Sequence, residues 1–299
     1  MTAHASPHRY HLAGLNIISD FVLPEAALAS PTTAAATLVV EDGWRLGLPC
    51  PADGAGRTAD SSRVRFAAPG VGRFIVEHGC RVIAWPEAGV SDGDVSQQVL
   101  GPALALALMQ QGHLVLHGAV IAVDDRAVVL LGDSGMGKST TAAACAVAGH
   151  AVLSDDLAVV DCTDDGEVLV RPVAALVRLA TAPLVSLGTA PRWTSSDKSV
   201  HATAVNCSSH DRRPLGGCVA LTWGESLSLD RVAPVEAALL LVEHAFCRTA
   251  FGPAHAAAAL RQCATLAERH PVARLARPSG SDSLVSAVSI LADYARNVR

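Results

Sequence analysis

Apolar residues fall along this chain in two regimes. From Tyr10 to about Trp85 they come in short runs, "LNIISDFVL", "ATLVVE", "VRFAAP" and "RFIVEHGCRVIAW", cut by Pro- and Gly-rich turns such as "PCPADGAG". Short apolar runs bounded in this way predict strands. Residues 1–95 are therefore read as a small β-rich N-terminal domain. From Ser96 onward the runs lengthen. "VSQQVLGPALALALMQQG" has helical length, stops at Gly112 and leads into a second domain, residues 96–299.

In that domain "LVLHGAVIAVDDRAVVLLG" reads as two strands joined at Asp124 and Asp125. A glycine loop and an alanine-rich helix from Ser139 to Ala148 follow, and Gly149 ends the helix. "HAVLSDDLAVVDC" and "GEVLVRPVAALVRL" give further strands around the turn "TDDG" at Thr163 to Gly166. Past Val232, "PVEAALLLVEHAFC", "HAAAALRQCATLAER" and "SLVSAVSILADYARNV" have helical length. The last sets Leu284, Val288, Leu291 and Tyr294 three and four residues apart. The C-terminal third is thus expected to be helical. Between Thr189 and Gly217 the chain is rich in Ser, Arg, Pro and His, and reads either as a substrate loop or as a plain linker. The fold class that results is α/β: a phosphate-loop domain with a β-rich N-terminal domain and helical C-terminal packing.

Composition narrows the function. Half of the 299 residues are apolar, enough to bury a core. The 23 basic and 28 acidic side chains give a net charge of −5, with no basic stripe, which argues against nucleic acid as the main partner. His4, His8, Arg9, Asp20 and Glu25 interrupt the first thirty residues, a pattern of neither a secretion signal nor a transit peptide. "VEAALLLVEHAF" is broken by Glu236, Glu243 and His244 before it reaches membrane-spanning length, so it reads as buried helix. Eight cysteines without a C-x-x-C pair are expected to be reduced, mostly buried side chains of a cytoplasmic protein, which sets zinc and redox chemistry aside.

Gly132 to Ser139, "GDSGMGKS", fits G-x-x-x-x-G-K-[ST], with the apolar strand "AVVLL" before it and a helix after it. Gly132, Gly135 and Gly137 let the backbone curl through Asp133, Ser134 and Met136 so that N–H groups point at phosphate oxygens. Lys138 supplies a point charge, the Ser139 hydroxyl can ligate magnesium, and Thr140 extends the helix start. With no N/T-K-x-D tetrad for guanine, ATP is the expected nucleotide. Asp155 and Asp156 sit where a strand emerges. One carboxylate there suffices for magnesium, and a second near the γ-phosphate can accept a proton from an incoming hydroxyl. The plainer alternative is that Asp155 caps a turn while Asp156 serves the metal. His117, among apolar residues, is open to two readings, a satisfied core side chain or a functional one. Its neighbour Gly118 permits close backbone approach.

The combination "LHGAVI…LLGDSGMGKSTTAAACAVAGHAVLSDD", within Leu114 to Val160, resembles the catalytic core of HPr kinase/phosphorylase. "YHLAGLNIISDFVLPE" and "RFAAPGVGRFIVEHG" are similar to the HPr-kinase-like proteins encoded beside lasso-peptide biosynthesis genes, which phosphorylate a serine hydroxyl of the precursor peptide. The resemblance implies an ATP- and Mg2+-dependent serine kinase acting on a ribosomal precursor peptide; assembly as a homo-oligomer stays open. It makes His117 the histidine near the phosphates, Lys138 and Ser139 nucleotide ligands, Asp155 the general base, and Asp156 the second acid, on the metal with Ser139. Lys198 is the preferred clamp for the transferred phosphate among Arg178, Arg192, Arg212 and Arg213. The chain departs from the family at its E-x-R-G-type segment. "VLVRPVAALVRL" holds no glutamate, Glu167 being the nearest acid, so reverse phosphorolysis is not expected. Two other functions fit the same residues: a kinase of a small hydroxylated metabolite, and a nucleotide-gated binding module without phosphotransfer.

Overall fold

The short apolar runs of the N-terminal third do become strands. A computed structural model describes residues 7–28, 37–52, 62–163, 166–174, 176–180, 193–194, 198–202, 212–246 and 253–298. Strands β1 (His8–Leu12), β2 (Leu15–Ser19), β3 (Leu38–Asp42), β4 (Arg63–Ala68), β5 (Gly72–Glu77) and β6 (Arg81–Pro86) form one sheet in the order β1-β2-β3-β6-β5-β4. Ala13 and Gly14, both at positive φ, make the two-residue turn between β1 and β2, whose twist suits a tight hairpin. Helix α1 (Asp92–Gln98) starts at Ser91, whose side chain accepts from the Asp94 N–H. It continues through a wider π-type stretch, Val99–Ala103, into α2 (Leu104–Gln110). Pro102 lies in that stretch, where its missing N–H is tolerated, and Gly112 at φ +92° ends the helix.

The chain divides into two compact units, Met1–His113 with Cys247–Ala256, and Leu114–Phe246 with Ala257–Arg299. The helical run from residue 96 falls in the first unit, so the division comes after it.

In the second unit β7 (Leu114–His117), β8 (Ala119–Val123) and β9 (Arg126–Leu131) lead into α3 (Lys138–Val147). Then come β10 (Ala151–Ser154), β11 (Leu157–Cys162), β12 (Val168–Arg171) and β13 (Leu176–Ala180). The stretch read as a polar connection contains β14 (Trp193–Thr194), β15 (Lys198–Ala202) and the start of the long β16 (Arg213–Trp223). Residues 189–192, 195–197 and 203–211 of it lie outside the described residues. The C-terminal third is not purely helical either. Strands β17 (Ser228–Arg231) and β18 (Val272–Arg277) accompany α4 (Pro234–Glu243), α5 (Pro253–Arg269) and α6 (Ser281–Asn297). Their ladders supply what local pattern does not show: β18 runs parallel to β16 and pairs antiparallel with β17.

Among the described residues the large sheet has the order β10-β8-β9-β16, with β18 and β17 beyond β16, and β12-β11-β7 joined to the first residues of β16. Alternate strand residues point to opposite faces. Ile121, Leu130, Val219 and Leu275 pack with Ala142 and Cys145 of α3 and with Leu291 and Tyr294 of α6. Val120, Val129 and Cys218 pack with Leu240 and Leu241 of α4, Leu266 of α5, and Leu116, Val160 and Val170. The stripe Leu284, Val288, Leu291 and Tyr294 is buried as its spacing predicts. Of the described cysteines, none bridged, Cys145, Cys218 and Cys263 are buried, while Cys80 and Cys162 are exposed and Cys50 lies between. The expectation of mostly buried thiols therefore holds for half of them. Among the described residues no helix is long and apolar enough to cross a membrane.

Candidate active site

Strand direction brings the motifs together. Because β8 is antiparallel to both β9 and β10, with Ala119 opposite Leu130 and Val120 opposite Ser154, the ends of β9 and β10 share a sheet edge with the start of β8. Strands β16 and β18 run parallel to β9 and end there too, with Trp223 opposite Arg277. The phosphate loop, His117, the aspartate pair, Trp223 and Arg277 thus collect at one edge, beyond the carboxyl ends of parallel strands, where open α/β sheets bind ligands. Gly118 makes this possible. A Cβ there would lie 2.6 Å from the Leu130 carbonyl oxygen, and the Gly118 N–H donates to the Asp156 carbonyl at 3.2 Å.

The three loop glycines all take positive φ: Gly132 at +142°, Gly135 at +87° and Gly137 at +85°. Any other residue would be strained at these positions. The Met136 N–H donates to the Asp133 carbonyl at 3.2 Å, and the Thr141 N–H to Gly137 at 2.8 Å, which starts α3. Asp133, Ser134 and Gly135 are exposed; Met136, Ser139 and Thr140 are half-buried. Lys138 is folded onto its own loop, with Nζ donating to the carbonyls of Gly132 at 2.6 Å and Asp133 at 3.2 Å. Its ammonium is thereby held in the concavity of the loop, ready to exchange these oxygens for phosphate oxygens.

Asp155 is buried at the mouth of the loop. Its Oδ2 accepts the Arg178 backbone N–H at 2.7 Å, the Ser139 hydroxyl lies close enough to favour the charged carboxylate, and Oδ1 is buried with no partner of its own among the described residues. Burial first, and then the neighbouring charge of Asp156, push the Asp155 carboxyl up to about 7; the Arg178 N–H and guanidinium and the Ser139 hydroxyl pull the other way. Asp156 is more open, its side chain 36% exposed, and pairs with Arg178 Nη1 at 2.5 Å. One arginine of β13 therefore holds both carboxylates, through its backbone N–H and through its guanidinium. A second acceptor aimed at water and a first sealed from it is an unequal pair, as two different duties require.

His117 ends β7, half-buried, opposite Leu157, and its N–H donates to the His244 carbonyl at 2.7 Å. His244, at the end of α4, is half-buried and within electrostatic reach of Asp133, Lys138 and His117. Burial lowers its pKa, Asp133 opposing that shift. Sequence reading hid it inside an apolar run. It also hid Arg277, which no motif marks, although its guanidinium lies beside Gly137. The backbone of Lys198 is in β15 opposite Ala180, on the strand paired with the one that carries Arg178; its side chain is outside the described residues. Arg192 is also outside them, and Arg212 and Arg213 pair with Asp161 and Asp125. Asp125 is at the β8–β9 turn, at the far edge, and so is Glu167, next to the ladder pair Cys162 and Val168.

The residues present fit a nucleotide phosphate chain with a divalent cation: a positive-φ loop, a cation in its cradle, a hydroxyl, and a buried carboxylate oxygen without a partner among the described residues. Among the described residues no three or more His, Cys, Asp or Glu converge into a protein-only metal cage. Magnesium ordinarily takes one or two carboxylates and completes its shell from phosphate and water.

No protein-family model matches the chain, and no curated protein does. Among solved structures it is similar to the Hpr(Ser) kinase/phosphatase from Coxiella burnetii, with a TM-score of 0.34 and 11% identity over 61% of this chain and 94% of that chain. At that distance the functional reading rests on the side chains at the sheet edge.

Proposed function

We propose that the protein is an ATP- and magnesium-dependent kinase that phosphorylates a serine hydroxyl of a peptide or protein, with a ribosomal precursor peptide of the lasso class as its substrate. The observation that carries this reading is the Asp155 carboxylate, out of water beside Ser139, with one oxygen unclaimed among the described residues. A carboxyl poised near neutral pH at the phosphate loop suits a general base better than a structural cap. In the reaction the serine Oγ gives its proton to Asp155 and bonds to the γ-phosphorus as the bond to the β-phosphate oxygen breaks, releasing ADP. Lys138 and the loop N–H groups bear phosphate charge, and Arg178 fixes both carboxylates. Ser139 and Asp156 would hold magnesium, which when bound neutralises charge on the phosphates. His117, at the same sheet edge, would orient the phosphates, and Lys198 would clamp the transferred group.

One observation favours a second distribution of duties. The Ser139 hydroxyl lies beside Asp155 and favours its charged form, while Asp156 is the more exposed of the two carboxylates. In that version Asp155 serves the metal with Ser139, and Asp156 takes the proton. The Asp155→Asn and Asp156→Asn variants separate the two. If Asp155 is the base, Asp155→Asn lowers turnover by about a hundredfold or more with nucleotide affinity and magnesium requirement nearly unchanged. If the duties are exchanged, Asp155→Asn raises the magnesium concentration needed, and Asp156→Asn removes turnover. Labelled ATP offered with peptide or with metabolite pools distinguishes peptide kinase from metabolite kinase. A binding module would show ATP-dependent partner binding and no labelled product.

A further inference from the structure

Arg277, the last residue of β18, is 2% exposed and is the largest fully buried side chain among the described residues. Its guanidinium carbon lies 4.5 Å from the centroid of the Trp223 ring, and Nη2 lies 2.7 Å from where a Cβ on Gly137 would stand. Nη1 donates to the Pro278 carbonyl at 3.3 Å, and Nε has no hydrogen-bond partner among the described residues. Among the described residues no carboxylate pairs with it. A guanidinium taken out of water without an anion is costly, and an arginine is otherwise buried in the company of one. Burial accordingly lowers its pKa.

What the anion is follows from the neighbour. Gly137 is the last glycine of the phosphate loop and directly precedes Lys138 and the start of α3, so a polyanion seated in the loop comes within reach of the fork from β18. The guanidinium carbon sits over the Trp223 ring, a cation–π contact that leaves the N–H groups still in need of acceptors. We propose that Arg277 is a second cationic ligand for the phosphate chain of the nucleotide, beside Lys138. The assignment rests on the nucleotide reading above and is independent of whether a phosphoryl group is then transferred.

Calorimetric titration of the full chain with ATP and with inorganic triphosphate, on the wild type, Arg277→Met and Arg277→Lys, tests it together with the melting temperature of each free protein. Methionine keeps an apolar stem against Trp223 and removes the charge. Arg277→Met is expected to weaken both ligands by about ten- to a hundredfold, as loss of a charge-assisted hydrogen bond does, with Arg277→Lys recovering part of it. The free Arg277→Met protein should melt at or above the wild-type temperature, since an unpaired buried charge is gone. Wild-type affinity for both ligands in Arg277→Met, or a lower melting temperature with affinity intact, assigns the arginine to packing and overturns the proposal. Failure of the wild type itself to bind either ligand overturns the nucleotide reading and this assignment with it.

Discussion

Asp155 is the side chain whose protonation the fold alters most consequentially. It titrates near 4 in an unfolded chain and at about 7 in the fold. Between those values the folded protein holds more protons than the unfolded one, so stability falls as pH rises through that window. Asparagine cannot ionise. Ligand-free Asp155→Asn should therefore melt several degrees above the wild type at pH 8, with the difference shrinking toward pH 4; scanning calorimetry at the two pH values reads it. An equal difference at both would show that the carboxyl is not destabilised by its burial. At this scale the phosphate loop and the aspartates were legible because a fixed spacing carries them, from Gly132 to Ser139 and from Asp155 to Asp156. Arg277 and His244 were not, since they meet the loop only through strand and helix packing of distant segments.

At the scale of elements, Gly118 couples the site to the sheet. Its missing side chain lets β8 lie against β9 while its N–H ties Asp156 to the same edge. Gly118→Ala would place a Cβ 2.6 Å from a backbone oxygen that cannot swing away, so it should cost about 1–3 kcal/mol in denaturant unfolding and displace His117 and Asp156 enough to lower turnover. Unchanged stability would mean that the β8–β9 contact is looser than described. Strands β8 to β11 and helices α3 and α6 follow the apolar pattern because each buries most of its residues or one clear stripe. Strands β15, β17 and β18 do not. "KSVHA", "SLDR" and "VARLAR" are short and mixed, and become strands through the partners beside them. Strand β16 as a whole is missed by the sequence reading, which runs its polar connection to Gly217 and names no element between there and Val232.

Over the whole molecule, the residues on which phosphoryl transfer would rest all belong to the unit Leu114–Phe246 with Ala257–Arg299, and none to the sheet of Met1–His113. Peptide recognition by the N-terminal sheet is part of the proposal and rests on the sequence resemblance alone. The peptide kinase, the metabolite kinase and the binding module share the same phosphate loop and diverge only in what receives the γ-phosphate. The most direct measurement is mass spectrometry of a serine-bearing precursor peptide after incubation with ATP, magnesium and either the wild type or Asp155→Asn. The account predicts one added phosphate on a serine with the wild type and almost none with the variant, although both bind ATP. An unmodified peptide with an ATP-bound wild type, or equal phosphorylation by the two proteins, would contradict it.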